Sequence, residues 1–125
     1  MTRNISIRSG AIEISAELND SATAQAIFAA LPLSARANTW GDEIYFEVPV
    51  NRKLDSTAAE LVQVGDIGYW PSGPAFCIFF GPTPISRGEE IRPASAVNLI
   101  GKVIGDARVL KAVQDGDLIE LAAAP

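Results

Sequence analysis

The chain contains no histidine and only one cysteine among its 125 residues. Without histidine, Ser-His-Asp and Cys-His catalysis and the usual histidine-containing zinc sites are excluded. A single cysteine, Cys77, cannot form an intrachain disulfide, which excludes a disulfide scaffold. Cys77 stands in an apolar segment, and a reactive thiol needs exposure and a nearby cation, so we predict an inert buried thiol.

Basic residues are few and scattered. The chain has 10 Lys and Arg against 15 Asp and Glu, which gives a formal net charge of -5. Nucleic acids and anionic membrane surfaces bind clustered Lys and Arg, so we expect neither as a partner. The adjacent carboxylates of Glu89 and Glu90 rarely converge on one ion, so we predict no metal site, and we expect no cofactor.

Long apolar runs are also missing. No stretch approaches the roughly 20 apolar residues of a membrane-spanning helix. Residues 1–5 contain no apolar run of signal-peptide length, and we therefore expect a cytoplasmic protein. With 48% hydrophobic residues, no internal repeat and no linker, residues 1–125 are predicted to form a single globular domain.

Alternation of apolar and polar residues predicts about eight short strands. Residues 5–18 alternate on both sides of a glycine-containing turn, which predicts a β-hairpin. Residues 43–48 alternate with Ile44, Phe46 and Val48 on one face. Many short strands at this spacing favour a closed barrel or a sandwich, since closure removes exposed edges. Further strands are predicted at 34–40, twice within 64–84, at 97–104 with a bulge near Gly101, and at 117–121.

Two or three short helices complete the pattern. Residues 22–31 have helical apolar spacing behind polar capping residues, and Pro32 ends that helix. Residues 107–113 predict a second helix, whereas the polar residues 85–94 predict an exposed loop. The inner face of the second helix is predicted to consist of Val109, Leu110 and Val113.

The block 64–84 combines aromatic residues with four glycines and four prolines. It is typical of two buried strands joined by a tight turn. Because side chains alternate along a strand, one set of its aromatic residues should face the interior and the other a helix or a groove. Packing in the core is the simpler interpretation for most of these residues.

Two motifs in the second half resemble a known family. Residues 65–70, Gly-Asp-Ile-Gly-Tyr-Trp, and 76–84, Phe-Cys-Ile-Phe-Phe-Gly-Pro-Thr-Pro, resemble the signature of small prokaryotic cyclophilin-like proteins of uncharacterised function. Residues 98–113 are similar to cyclophilins, with a strand ending in Gly-Lys-Val, a turn and a short helix. The resemblance implies a mainly β fold, a closed eight-stranded antiparallel barrel with two or three short helices.

Cyclophilins are prolyl isomerases, and the chain departs from the residues of their groove. That groove uses an arginine on a strand, a glutamine, several apolar or aromatic residues and a histidine. The strand predicted at 43–48 has no arginine, and the nearest one, Arg52, lies in a polar loop. Residues 73–78 match the cyclophilin sequence Gly-Ser-Gln-Phe-Phe-Ile at three of six positions. We therefore expect no robust isomerase activity.

We predict a ligand-binding site at the edges of the block 64–84. Trp70-Pro71 and residues 79–84 place aromatic surface beside backbone that is poor in donors, since proline lacks an N–H and glycine permits close approach. This combination is typical of an apolar groove with few polar anchors. The ligand-binding residues predicted there are Tyr45, Glu47, Trp70, Phe79, Thr83, Arg87 and Arg92.

The sequence leaves three functions open. The first is a non-catalytic or weakly catalytic barrel that binds a small molecule or a peptide segment in an apolar groove. The second is a prolyl isomerase with a rearranged groove. The third is a structural domain whose aromatic patch forms the interface of a homo-oligomer.

Overall fold

Ten strands form one antiparallel sheet in the computed structural model, which describes residues 2–124. Strands make up most of the regular secondary structure, and the described residues also form one α-helix and one 3-10 helix. The elements are β1 (Arg3–Ser9), β2 (Ile12–Leu18), α1 (Ala22–Ala30), β3 (Leu33–Arg36), β4 (Asn38–Thr39), β5 (Glu43–Glu47), β6 (Ala58–Ala59), β7 (Asp66–Trp70), β8 (Ala75–Phe79), β9 (Val97–Ile104), the 3-10 helix (Ala107–Ala112) and β10 (Leu118–Ala123).

The sheet curls until its two edges reach the same stretch of chain. The strand order is β3-β10-β1-β2-β9-β7-β8-β5-β4, with β6 paired to β9. The edge strands β3 and β4 are separated only by Ala37, whose N–H donates to the carbonyl of Asp117 and whose carbonyl accepts from Gly116, both at 2.8 Å. Within residues 2–124 no backbone pairing joins β3 to β4. The mainly β, antiparallel prediction is confirmed, but the predicted closure is not.

The strand count also differs from the eight expected. The added strands include β4 and β6, which are two residues long and too short to show an alternating pattern. The predicted strand at 34–40 is divided at Ala37 because its two halves pair with different partners, β10 and β5.

The inner face of the sheet encloses the main core. On β5, Ile44 and Phe46 point inward as the alternation predicted, and Phe46 stacks on Phe76 of β8 with ring centroids 5.4 Å apart. Helix α1 packs against this core through Ala24 and Ile27. Asn98 of β9 is fully buried, and its side-chain amide donates hydrogen bonds to the Thr23 hydroxyl of α1 and to the Lys53 carbonyl in the loop before β6.

A second apolar layer covers the outer face of β8. All five residues of β8 are buried. Side chains at alternate positions lie on opposite faces, so Phe76 and Ile78 enter the main core, whereas the other three point outward. The outward layer is closed by residues from the loops on either side of β7 and β8. It consists of Val62, Ala75, Cys77, Phe79, Ile91 and Val97.

The bulge predicted near Gly101 is present. The pairing of β7 with β9 shifts register between Ile67, opposite Gly101, and Gly68, opposite Leu99. A Cβ atom on Gly101 would collide with the backbone carbonyl of Glu17 on the neighbouring strand β2. Glycine is therefore required for the close approach of these two strands.

The second helix has a different inner face from the one predicted. Residues 107–112 form a 3-10 helix, which repeats every three residues. Ala107, Leu110 and Val113 are therefore buried on one side, and Val109 is 45% exposed. The expectation of Val109 as an inner residue was wrong because it assumed α-helical spacing.

No helix among residues 2–124 has the length and apolar character needed to span a bilayer.

Replacing Tyr69 by Phe should destabilise the fold. The hydroxyl of Tyr69, in a fully buried residue, donates to the carbonyl of Val50 at 2.5 Å and accepts from the N–H of Arg52 at 3.1 Å. The variant leaves both backbone groups without this partner, and we expect a loss of about 1–3 kcal/mol in the free energy of unfolding by urea. Tyr45→Phe is the matched control, since the Tyr45 hydroxyl makes no hydrogen bond to the described residues, and equal losses in the two variants would contradict this assignment.

Candidate functional site

A cavity of about 280 Å³ lies on the outer face of the sheet. Strands β5, β7 and β8 supply one side of it, and the segment leading into β9 supplies the other. Its wall contains three aromatic side chains, one carboxyl group and one thiol, and the remaining residues are apolar. The lining residues are Trp40, Glu43, Tyr45, Trp70, Cys77, Pro93, Ala94 and Val97.

Strand register brings the polar and aromatic groups together. Tyr45 of β5 lies opposite Cys77 of β8, and Glu43 is two residues before Tyr45 on the same face. On the other side of β8, Trp70 of β7 pairs with Ala75, two residues before Cys77. One face of three adjacent strands therefore presents a carboxyl, a phenol, a thiol and an indole.

The carboxyl group of Glu43 is buried without a salt bridge. Its residue is 6% exposed, and its Oε1 is the only buried side-chain nitrogen or oxygen among residues 2–124 that has no hydrogen-bond partner. Burial, which disfavours the charged form, raises the pKa of Glu43 to about 7, and the Cys77 thiol beside it lowers that pKa by a smaller amount. No Lys or Arg contributes to this pKa. At neutral pH the group therefore stands close to the midpoint of its titration.

Cys77 is buried, as predicted. Burial raises the pKa of its thiol well above the ordinary value, and the negative charge of Glu43 raises it further. The Cys77 Sγ is 3.8 Å from the carbonyl oxygen of Ala75, a long hydrogen bond. The thiol also interacts with the Glu43 carboxyl, but Oε1 of Glu43 has no hydrogen-bond partner among the described residues. A thiol with a raised pKa is a poor nucleophile, which limits Cys77 to packing and weak donation.

Trp70 is held in place on both its polar and apolar sides. Its Nε1 donates to Oγ of Ser95 at 2.6 Å. A Cβ atom on Gly73 would lie 2.7 Å from two atoms of the six-membered ring, so the absence of a side chain there lets the turn pack tightly against the indole. The indole N–H is thus already used, and what Trp70 offers a ligand is apolar, π-rich surface.

The structure brings only some of the predicted ligand-binding residues together. Tyr45 and Trp70 line the cavity. Phe79 is fully buried in the layer beside it, and Thr83 is buried with its hydroxyl donating to the carbonyl of Arg92 at 2.5 Å. The other three predicted residues do not line the cavity: Glu47 and Arg87 are exposed, and Arg92 pairs with Glu90 at 2.8 Å.

Sequence reasoning missed Glu43 and Trp40. Glu43 is the first residue of the strand whose alternation was recognised, and Trp40 precedes that strand. Glu43 shares its face with Tyr45 and Glu47, a pattern typical of a solvent-facing side. The signal that it is buried comes from the covering segment around Pro93 and Ala94, which is distant in sequence. Among residues 2–124 no three carboxyl, thiol or imidazole groups are grouped to hold a metal ion.

The free energy of unfolding should fall between pH 4.5 and pH 7 because of Glu43. The unfolded carboxyl loses its proton near the ordinary pKa of 4.5, whereas the folded one keeps it to about 7. The unfolded state then binds fewer protons than the folded state, so stability decreases as pH rises through this window and levels off above it. The expected decrease from this group is about 3 kcal/mol.

Urea denaturation at half-unit pH steps measures this decrease. Glu43→Gln should remove it, whereas Glu47→Gln, on the exposed end of the same strand, should retain it. Parallel pH profiles for wild type and Glu43→Gln would show that Glu43 does not titrate in this range.

Comparison with known proteins agrees with the fold. The family profile described as "Cyclophilin-like" matches residues 3–122. The solution structure of the hypothetical protein AF2241 from Archaeoglobus fulgidus is similar to the chain, with a TM-score of 0.82 and 41% sequence identity over 98% of this chain and 95% of that one. No curated protein matches. Because the profile covers nearly all of the sequence, the chain belongs to the cyclophilin-like family.

Proposed function

We propose that this protein binds a small molecule in the cavity lined by Glu43, Tyr45 and Trp70. The observation that carries the proposal is the buried Oε1 of Glu43, the one buried side-chain nitrogen or oxygen of the described residues that has no hydrogen-bond partner. Buried polar groups without partners are rare in folded proteins, and a bound ligand, ion or water is one way in which their hydrogen bonding is completed.

The composition of the wall supports a ligand-binding role. Ligand pockets are largely apolar and aromatic, with a few polar groups that fix orientation. This cavity has three aromatic side chains, apolar Pro93, Ala94 and Val97, and a single carboxyl. Its volume of about 280 Å³ is near the lower limit of roughly 300 Å³ for such pockets. A small molecule fits this size better than an extended peptide segment.

A prolyl isomerase is the enzymatic alternative, and the residues on β5 count against it. Cyclophilins, which the chain resembles, use an arginine on a strand of the groove. Here β5 places the carboxyl of Glu43 on the cavity, and no Lys or Arg lines it. A carboxyl cannot supply the positive charge of a guanidinium, so we expect the rate of isomerisation of a proline peptide to equal the uncatalysed rate.

The aromatic residues of the block 64–84 give little support to an oligomerisation function. Tyr69, Phe76 and Phe79 are fully buried, and Phe80 is 4% exposed. Of the aromatic residues in this block only Trp70 is partly exposed, so a homo-oligomer interface built on an aromatic patch has little support.

Two-dimensional ¹H–¹⁵N NMR tests the proposal directly. The chain has two tryptophans, Trp40 and Trp70, and both line the cavity, so both indole N–H signals report its occupation. In a screen of small apolar and amine-containing fragments at millimolar concentration, we expect binders that shift both signals together.

A blocking variant locates the binding. Ala94→Phe places a ring at an exposed position of the cavity wall and should abolish the shifts, whereas Ala29→Phe on the exposed face of α1 should leave them unchanged. A screen in which no fragment moves either indole signal, or shifts that survive Ala94→Phe, would refute binding in this cavity.

A further inference from the structure

We infer that the ligand of the cavity is a small organic cation, an ammonium group carrying apolar substituents. This inference rests on the proposed function and names the chemical class of its ligand. It is carried by the juxtaposition of the buried Glu43 carboxyl, whose Oε1 has no hydrogen-bond partner among the described residues, with the aromatic residues Trp40, Tyr45 and Trp70 around one cavity.

The carboxyl group needs a positive partner that the protein does not supply. A buried carboxylate is strongly disfavoured unless it is paired. No Lys or Arg lines the cavity, the Cys77 thiol from β8 interacts with Glu43, and Tyr45 from β5 lines the same cavity. The preceding residue, Asp42, is acidic and lies 3.7 Å from Lys111 in an ion pair outside the cavity wall. A ligand cation would therefore be the only positive charge at Glu43.

The aromatic residues of the cavity wall also favour a cationic ligand. The faces of Trp and Tyr rings attract cations through the ring quadrupole, and rings grouped around a pocket are a recurring way to hold alkylated ammonium groups. The indole N–H of Trp70 already donates a hydrogen bond to Ser95, so it is not free to bind an anionic ligand. An anion would find no positive side chain in this wall, since no Lys or Arg lines the cavity.

The remaining lining residues define the substituents. Pro93, Ala94 and Val97 offer no charged group, so the part of the ligand that meets them must be apolar. The cavity of about 280 Å³ accommodates a head of trimethylammonium size with a short chain. The formal net charge of -5 also favours the approach of cations over anions.

Cation binding must displace a proton from Glu43. In the empty protein this carboxyl is about half protonated at neutral pH, and a bound cation favours the ionised form. The O–H bond of the carboxylic acid breaks, the proton passes to the buffer, and the carboxylate keeps the electron pair opposite the ammonium. Binding at pH 7 should thus release a fraction of a proton per ligand.

The test is isothermal titration calorimetry with two probes of the same shape. Choline carries a trimethylammonium head, and 3,3-dimethyl-1-butanol replaces it by an uncharged tert-butyl group. We expect choline to bind at least about tenfold more tightly at pH 7. Repeating the choline titration in buffers of different ionisation enthalpy should show proton release, which should disappear at pH 9.

Two variants assign the effect to the carboxyl. Glu43→Gln should bind choline and 3,3-dimethyl-1-butanol alike and release no proton. Glu47→Gln, which changes a carboxylate of the same strand outside the cavity, should behave as wild type. The proton release of the wild-type protein is an independent readout if Glu43→Gln fails to fold.

Failure of this inference is distinguishable from failure of the proposed function. Equal affinity for the two probes, or choline binding without proton release, would overturn the cation assignment while leaving ligand binding in place. The same conclusion follows if neither probe binds but neutral fragments shift the indole signals of Trp40 and Trp70. If neither probe nor any fragment occupies the cavity, both proposals are wrong.

Discussion

The burial of β8 on both faces is the constraint on which the rest of the structure depends. A strand of five buried residues needs apolar cover on each side, and the sheet interior provides only one of them. The outer cover has to come from the connection between β8 and β9. Two hydrogen bonds hold that connection in place. The N–H of Val62 donates to the carbonyl of Ile91 at 3.0 Å, and the indole N–H of Trp70 donates to Ser95. The connection is fixed to the rest of the fold at separate points and does not fill the space against β5. The cavity lies in this space, beneath the connection.

Covering β8 also removes Glu43 from water, and this explains why an acidic residue at a strand end acquires unusual chemistry. An exposed glutamate in the same place would be an ordinary solvated charge. Beneath the cover, with Cys77 as its neighbour and no cation, its neutral form is favoured. A group kept in this condition lowers the stability of the empty protein at neutral pH. Such local conflicts between folding and environment are found most often where a protein binds or reacts.

The inner layer could be predicted from the sequence, and the outer layer could not. The alternation in β5, the capped helix after Ser21 and the bulge near Gly101 all follow from local patterns. Tyr45 and Trp70 could also be predicted as residues of the site, since aromatic side chains on the outward face of buried strands have to pack against other residues or a ligand. Residues 85–94 are rich in charge and were predicted as exposed, yet Ile91 and Pro93 are buried in them. Because the charges of Arg92 and Glu90 pair with each other, the segment can cover an apolar surface, a long-range property that no local pattern encodes.

Membership of the cyclophilin-like family fixes the fold of this chain but not the charge of its cavity. A fold of this kind sets where a groove can form, and the side chains on its strands decide what the groove binds. In cyclophilins an arginine on a strand presents positive charge to a peptide, whereas in this chain β5 presents the carboxyl of Glu43. Reversing the sign of the charge in a water-poor site reverses the sign of the ligand that it favours, because the interaction is weakly screened there. The absence of an arginine on β5 and the proposed preference for a cation therefore both concern the charge that this strand presents to the cavity.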